Sequence, residues 1–176
     1  MPSPSKQKGS GWEREISIFL SSLYNESFIR TPSSGAYVGG KNSSRKEFLH
    51  EGQIRAFKGD IIPPSTWQYF NAEAKFYKEF PWHQLYTSKC AILDSWIQQQ
   101  FDAADPGDFN ILFLKFNRQG RFVAVESKFL GEVSNLHNYM YYHSTVTKST
   151  WIITNFEHFF EYNKDFIRLK STLGTN

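Results

Sequence analysis

Residues 57–76 read FKGDIIPPSTWQYFNAEAKF and contain an acid, Asp60, and an acid-x-base triplet, Glu73 to Lys75. Asp60 follows a glycine at a turn, and the aromatic-rich run that contains Glu73 and Lys75 is typical of a strand. Because side chains two apart on a strand point to the same face, Glu73 and Lys75 project together. If the run that contains Asp60 pairs beside this strand, two carboxylates and one ammonium group converge on one point.

Such a convergence predicts a site for a hard divalent cation. Carboxylate oxygens suit Mg²⁺, which keeps several waters and accepts few protein ligands. A lysine beside the cation can orient an attacking water or offset negative charge on a phosphate. An acid-x-base triplet alone is a weak signal, because such triplets also form surface pairs on solvated strands. The chain has a second triplet, Glu126-Ser127-Lys128, with Asp108 upstream, so the choice depends on context.

Composition narrows the class of protein. The 176 residues are enough for one domain with a sizeable core, and we predict a single domain over 1–176. The only cysteine, Cys90, excludes an internal disulfide and a cysteine-based zinc site. No apolar run is long enough to cross a bilayer, and the N-terminus lacks a signal-peptide core, so we expect an intracellular protein without a membrane partner.

The charge distribution favours a phosphate-rich partner for the first half of the chain. Residues 1–90 hold 12 Lys and Arg against 8 Asp and Glu, whereas residues 91–176 hold 8 against 9. The basic excess lies in the half that contains the first acid pair. On charge alone, an ordinary solvated surface explains the excess equally well.

The chain before the first motif is predicted to form a basic arm, a helix, a strand and a loop. We expect residues 1–11 to be mobile and a helix to follow, capped by Ser10 and Glu13. A short strand at residues 27–30 leads into residues 32–46, which are rich in glycine, serine and basic residues. Such a loop can bind phosphate, but it lacks the Walker A spacing, so we predict no nucleotide cofactor.

The chain after the motif continues the α/β pattern. Helical spacing of apolar residues over 89–101 predicts a helix, and the apolar run 109–116 predicts a buried strand that turns back through 121–125. In the tail we expect a strand at 150–154 and an amphipathic helix over 156–166. This order predicts an α/β domain with a mixed sheet.

The pattern resembles the PD-(D/E)xK nuclease superfamily, and within it the archaeal-type Holliday junction resolvases, with a viral or phage member in view. Asp60 and the Glu73-Ala74-Lys75 triplet match the superfamily motif, with a separation of 73 − 60 = 13 residues. The likeness covers roughly residues 6–126. Its other parts are Lys8-Gly9, Glu13-Arg14-Glu15 at the start of the first helix, Arg30 through Ser34-Gly35, and Phe109 to Val125.

The resemblance implies a restriction-endonuclease-like fold, a mixed central sheet flanked by helices. It implies a metal-dependent endodeoxyribonuclease that acts on branched double-stranded DNA, with Mg²⁺ as cofactor and Mn²⁺ as a substitute. It implies Glu13, Asp60, Glu73 and Lys75 as catalytic residues, and Asp60, Glu73, the Ala74 carbonyl and Glu13 as metal ligands. Predicted DNA contacts are Lys8, Arg14, Arg30, Ser33, Ser34, Lys41, Arg45, Lys46 and Lys58. Paired cuts at a four-way junction need two sites, so geometry and family together imply a homodimer.

The resemblance also favours the first acid pair, because Asp108 and Glu126 come too late for a complete domain to follow. Three departures remain. Gly59 stands where many family members have proline, the loop between Ser34 and Asp60 is longer than in compact resolvases, and residues 127–176 have no counterpart that we recognise. Two alternatives stay open: a related nuclease that acts on linear or forked duplex, and a non-catalytic DNA-binding module. We expect the protein to be cytoplasmic, associated with a nucleoid or acting in a phage-infected host.

Overall fold

The computed structural model describes residues 4–32, 58–87 and 89–175, with the backbone alone for residues 4–8. The described helices and strands follow one another along the chain as α1 (Pro4–Tyr24), β1 (Ile29–Arg30), β2 (Ile61–Ile62), β3 (Phe70–Tyr77), α2 (Ala91–Ala103), β4 (Phe109–Phe116), β5 (Gly120–Glu126), β6 (Tyr139–Ser144), β7 (Ser149–Asn155), α3 (Phe156–Tyr162) and α4 (Lys164–Leu173). Two 3-10 turns, Trp82–Thr87 and Ser127–Phe129, connect them.

A mixed sheet forms the centre of the described structure. Its strands lie in the order β3-β4-β5-β7-β6, and a separate antiparallel pair is formed by β1 and β2. β3 and β4 are parallel, whereas β4–β5, β5–β7 and β7–β6 are antiparallel. α2 connects the two parallel strands, as parallel pairing requires a crossover. The predicted mixed sheet flanked by helices is therefore confirmed.

Alternate residues of the central strands pack into two separate cores. Ile111 and Phe113 of β4 belong to a cluster with Trp12 of α1 and Phe160 of α3. Leu112 belongs to a second cluster, which includes residues of α2. The first cluster lies on the face that α1 and α3 cover, and the second lies on the face that α2 covers. Glu73 is in register with Leu112, so its side chain lies on the α2 face.

The prediction that the first helix begins at Ser10 is wrong. α1 begins at Pro4, so Ser10 lies inside the helix and not at its cap. Proline is tolerated in the first turn of a helix, where its missing N–H has no partner to lose. Gly9 and Gly11 are each unfavourable inside a helix by roughly 1 kcal/mol, but α1 runs through both. Packing does not require glycine at either position, because a Cβ added there would meet nothing within 4 Å.

The single helix predicted over residues 156–166 is two helices. The break lies at Asn163, which ends α3 and precedes α4. Its side-chain amide donates to the Ser134 carbonyl at 3.1 Å and accepts from the Ser134 N–H at 2.6 Å. These bonds fix the break against the segment that follows β5.

The aromatic residues of the tail mainly fill the core. Tyr142, Trp151 and Phe156 are fully buried, whereas Tyr139 and Tyr141 on β6 are exposed. The predicted strand at 150–154 is confirmed within β7. No helix in the described parts of the chain is both long and apolar enough to span a membrane.

Candidate active site

Asp60 lies against the outer edge of β3. Its backbone N–H donates to the Ala72 carbonyl at 2.8 Å, and its carboxylate Oδ2 accepts the Ala74 N–H at 2.8 Å. Because N–H and C=O of one strand residue point to the same edge, the Ala74 carbonyl also faces the Asp60 side. The expected approach of the Asp60 segment to the Glu73 strand is therefore observed, with Asp60 and Glu73 both almost fully buried.

Gly59 stands where many members of the superfamily have proline, and its backbone conformation explains the difference. Its φ is +76°, and a Cβ at this position would lie 2.4 Å from the Ala72 carbonyl oxygen. Proline holds φ near −65° and cannot adopt this conformation. The chain therefore enters Asp60 through a left-handed residue that lets the backbone approach β3 closely.

Glu73 and Lys75 project together from β3 and meet a glutamine of α2. The Lys75 ammonium donates to Glu73 Oε2 at 3.0 Å and to Gln99 Oε1 at 2.8 Å. Gln99 Nε2 in turn donates to Glu73 Oε2 at 3.4 Å. The pairing of Glu73 with Lys75 follows the strand period, but Gln99 was not anticipated from the sequence.

Crowding of acids changes the protonation of Glu73. Burial raises the pKa of Glu73 to about 7, and the charge of Asp60 together with a side-chain hydrogen bond from protonated Glu73 to Asp60 adds to the rise. The Lys75 ammonium opposes it, through its charge and its hydrogen bond. Asp60 and Glu73 are thus close enough for the charge of one to disfavour ionisation of the other. A cation bound between them would favour the ionised form of both.

The donor set fits a hard cation with few protein ligands. Two carboxylates and the Ala74 carbonyl supply oxygen atoms only, and Mg²⁺ characteristically takes one or two carboxylates and keeps waters. Within residues 4–32, 58–87 and 89–175, no group of three His, Cys, Asp or Glu side chains is arranged to hold a metal ion. The described residues therefore offer a two-carboxylate site, without a third acidic ligand.

Glu13, predicted as a further ligand, is buried in α1 and lies 3.6 Å from the Arg30 guanidinium. Arg30 is in register with Ile61, and the next residue, Thr31, donates its N–H to the Asp60 carbonyl at 3.0 Å. Glu13 is therefore connected to the Asp60 segment through β1. Its role as a metal ligand stays a prediction.

The second acid pair has other partners. Asp108 forms an ion pair with Lys58 and accepts the Asp105 N–H at 2.7 Å. Glu126 accepts a bond from Asn110 Nδ2 at 3.3 Å and lies 3.2 Å from Lys128 Nζ. Asp108 thus fixes the start of β4 to the Asp60 segment, and Glu126 joins a polar row across the sheet.

The predicted DNA contacts fall into three groups. Arg14 is exposed on α1, whereas Arg30 is paired with Glu13. Lys58 is almost buried between Asp105 and Asp108, which gives it a structural role at the site and leaves its DNA contact a prediction. The rest lie outside the described residues or, for Lys8, outside the described side chains; they are Ser33, Ser34, Lys41, Arg45 and Lys46.

Comparison with known proteins agrees with the motif. A family model described as "Phage putative PDDEXK endonuclease" matches residues 4–168, whereas no curated protein and no solved structure matches the chain. The match extends well past residue 126. Residues 127–168, for which we recognised no counterpart in the sequence, are therefore part of the family domain. The superfamily prediction is confirmed, and the likeness to archaeal junction resolvases stays a prediction. The chain belongs to this family of phage PDDEXK endonucleases.

Proposed function

We propose that the protein is a divalent-metal-dependent endodeoxyribonuclease that resolves four-way DNA junctions by paired cuts. One observation carries the nuclease chemistry: Asp60 bonds the edge of β3 at Ala74, beside a Glu73 carboxylate that is already paired with Lys75. Burying two carboxylates beside an ammonium group lowers the stability of the fold. Such groups are typically found at functional sites, where they act on a charged reactant.

Mg²⁺, with Mn²⁺ as a substitute, is the proposed cofactor, held by Asp60, Glu73 and the Ala74 carbonyl. When bound, such a cation lowers the pKa of water and offsets the charge that develops on a phosphate. Glu73 takes part only in its ionised form, which requires its raised pKa to fall on binding.

The side chains around the cation supply positioning and charge. Lys75, whose ammonium group bonds Glu73 at 3.0 Å, would contact the attacking water or a phosphate oxygen of the scissile bond. A new P–O bond would form to that water, which gives up one proton to solvent, as one phosphodiester P–O bond breaks, and the departing sugar oxygen would take up a proton from solvent. Arg14 and the basic loop around Ser33, Ser34 and Lys41 would hold the neighbouring phosphates.

Three synthetic substrates test the assignment. A four-way junction, a Y-fork and a linear duplex of shared sequence are incubated with Mg²⁺, with Mn²⁺ and with chelator. We expect metal-dependent cleavage of the junction, at symmetric positions, ahead of the other two substrates. Preferential cleavage of the fork or the linear duplex would support nuclease activity but refute the preference for junctions. Binding without cleavage in the presence of either metal would favour a non-catalytic DNA-binding module.

Paired cuts imply a homodimer, for which β6 is the proposed contact surface. β6 ends the sheet, and its Tyr139 and Tyr141 side chains are 37% and 50% exposed. Residues 134–147 contain no Lys, Arg, Asp or Glu. An uncharged outer strand can pair with its own copy about a two-fold axis, because no like charges oppose each other.

Mixing experiments on a supercoiled cruciform plasmid test the dimer. Dimers that contain one Lys75→Ala subunit should nick one strand and give open circles, whereas dimers of active subunits give linear product. Sedimentation measures the oligomeric state directly. A monomer, or linear product that is unaffected by the inactive partner, would refute the dimer and leave the nuclease standing.

A further inference from the structure

Gln99 has hydrogen bonds to both charged residues of the β3 triplet. Its amide oxygen accepts from the Lys75 ammonium at 2.8 Å, and its amide nitrogen donates to Glu73 Oε2 at 3.4 Å. This orientation of the amide satisfies both partners, because lysine only donates and a carboxylate only accepts. Reversing the amide would oppose donor to donor and acceptor to acceptor.

The next residue, Gln100, fixes α2 on the same strand. Its Nε2 donates to the Asn71 carbonyl at 2.7 Å, and Asn71 Nδ2 donates back to the Gln100 carbonyl at 3.4 Å. Asn71 also donates to Asn110 Oδ1 on β4 at 2.9 Å. Asn71 and Gln100 are both fully buried. Consecutive glutamines of α2 thus bind residues on one face of β3. Gln100 bonds Asn71, and Gln99 bonds Glu73 and Lys75.

Stability alone does not account for this arrangement. Over the described ranges, Asn71 Oδ1 and Gln100 Oε1 are buried without a hydrogen-bond partner. Unpaired buried acceptors are destabilising. Apolar residues of similar shape would avoid the cost only if they replaced Asn71 and Gln100 together, because a single replacement leaves the other partner without its hydrogen bond. Residues that reduce stability are typically retained where they serve a site.

We propose that Gln99 is a positioning residue that holds Glu73 and Lys75 in the mutual arrangement needed for phosphodiester hydrolysis, while Gln100 and Asn71 set the register of α2 on β3. The inference rests on the proposed function. Glu73 and Lys75 attract each other, and the attraction alone would draw the ammonium group onto the carboxylate. Gln99 offers Lys75 a second acceptor, so the ammonium group lies between two partners and Glu73 keeps an oxygen for the cation.

Gln99→Met removes both hydrogen bonds and keeps the shape of the side chain. Because Gln99 is exposed, we expect an unchanged melting temperature. The kcat on the junction should fall about 10- to 100-fold with KM nearly unchanged, which is the usual loss when a residue that orients a metal ligand is removed. Gln98→Met is the matched control, since Gln98 bonds only Asp102 on the same helix at 2.8 Å among the bonds observed. Gln100→Met should lower the melting temperature and kcat together.

A metal-free readout separates this inference from the proposed function. The side-chain ammonium signal of Lys75, identified by its loss in Lys75→Ala, should be sharp in the wild type and in Gln98→Met. In Gln99→Met it should broaden through faster exchange with water. An unchanged Lys75 signal, or a kcat equal to that of Gln98→Met, would overturn the role of Gln99. If the wild type cuts no DNA, the proposed function fails and the ammonium signal still decides whether Gln99 holds Lys75.

Discussion

The chain contains the same pattern twice, Glu73-Ala74-Lys75 and Glu126-Ser127-Lys128. Both triplets contain a Glu–Lys ion pair, at 3.0 Å and 3.2 Å, but they differ in burial and in backbone geometry. Glu73 and Lys75 lie within a strand, with side chains 4% and 13% exposed. Glu126 is the last residue of its strand, and Lys128 lies in a 3-10 turn with a side chain 50% exposed. The first pair therefore shares a strand face, whereas the second pair spans a change of backbone direction.

The surroundings complete the difference. Among the described strands, β3 is an outer strand of the sheet and Asp60 bonds its outer edge, whereas β5 is paired on both edges, with β4 and β7. Asp108, the acid that precedes the second triplet, bonds Lys58 instead. The comparison teaches that an acid-x-base triplet becomes a candidate site when an edge strand presents it to a third charged group.

The largest expected difference is in catalysis. Asp60→Asn and Glu73→Gln should each lower the cleavage rate about a thousandfold or more, because a bound cation contributes several kcal/mol to the transition state. DNA binding should persist, since each change removes repulsion with phosphate. Rates on the four-way junction with Mg²⁺ measure the effect, and Glu126→Gln is the control. Wild-type rates in either variant would contradict the site assignment.

The two lysines should differ in their effect on kcat. Lys75→Met should lower kcat about a hundredfold, the usual contribution of a positioned charged group. Lys128→Met should leave kcat unchanged and weaken DNA binding slightly if it contacts phosphate at all. Single-turnover cleavage separates the two effects. Equal losses in both variants would mean that the two triplets act together.

The pH dependence of stability should distinguish Glu73 from Glu126. Because the pKa of Glu73 is raised from 4.5 to about 7, the folded protein binds more protons than the unfolded chain between these values. The free energy of unfolding should therefore fall as pH rises through this window, by at most about 3 kcal/mol. Glu73→Gln should remove the fall and be more stable than the wild type at pH 8.

Urea unfolding at pH 4.5 and pH 8 measures that change. Burial also raises the pKa of Asp108, but the wild type and Glu73→Gln share this contribution, so their difference isolates Glu73. Glu126→Gln is the second control and should follow the wild-type curve. A constant offset between wild type and Glu73→Gln at both pH values would show that Glu73 is not held protonated.

The smallest effect is expected at Asp108. Asp108→Asn weakens the pairing of the nearly buried Lys58, but Asp105 still accepts from that ammonium at 2.7 Å. The free energy of unfolding should fall by about 1–3 kcal/mol while cleavage activity is retained. Chemical denaturation and junction cleavage are measured on the same sample. Loss of cleavage with an unchanged unfolding curve would place Asp108 in the active site.

The sequence predicts those features that follow from local periodicity. The apolar run of β4 predicts a buried strand, and the two-residue period of a strand places Glu73 and Lys75 on one face, so the central strands and the pairing of Glu73 with Lys75 were predicted. The start of α1 was missed because Gly9 and Gly11 are unfavourable in isolation. The penalty of roughly 1 kcal/mol for a glycine inside a helix can be outweighed by tertiary packing, which α1 gains through Trp12 and Ile16 in the core.

Gln99 could not be foreseen for a different reason. It lies 99 − 73 = 26 residues from Glu73, in a helix whose rotation on the sheet is set by Gln100, Asn71 and the packing of Trp96. The polar residues that follow the motif more closely, His83 and Gln84, lie in the 3-10 turn Trp82–Thr87. A run of three glutamines at 98–100 inside an amphipathic helix was the available signal.

The bonds between Asp60 and β3 also bear on solubility. An outer strand with free N–H and C=O groups is a template for strands of other molecules. Asp60 bonds two of these groups, the Ala72 carbonyl and the Ala74 N–H, so they are not open to a strand of another molecule. Asparagine at position 60 keeps an oxygen that can accept the Ala74 N–H, whereas alanine leaves that N–H open to intermolecular pairing. The proposed metal ligand thus also protects this edge against intermolecular strand pairing, and Asp60→Ala preparations should form oligomers on concentration that Asp60→Asn preparations do not.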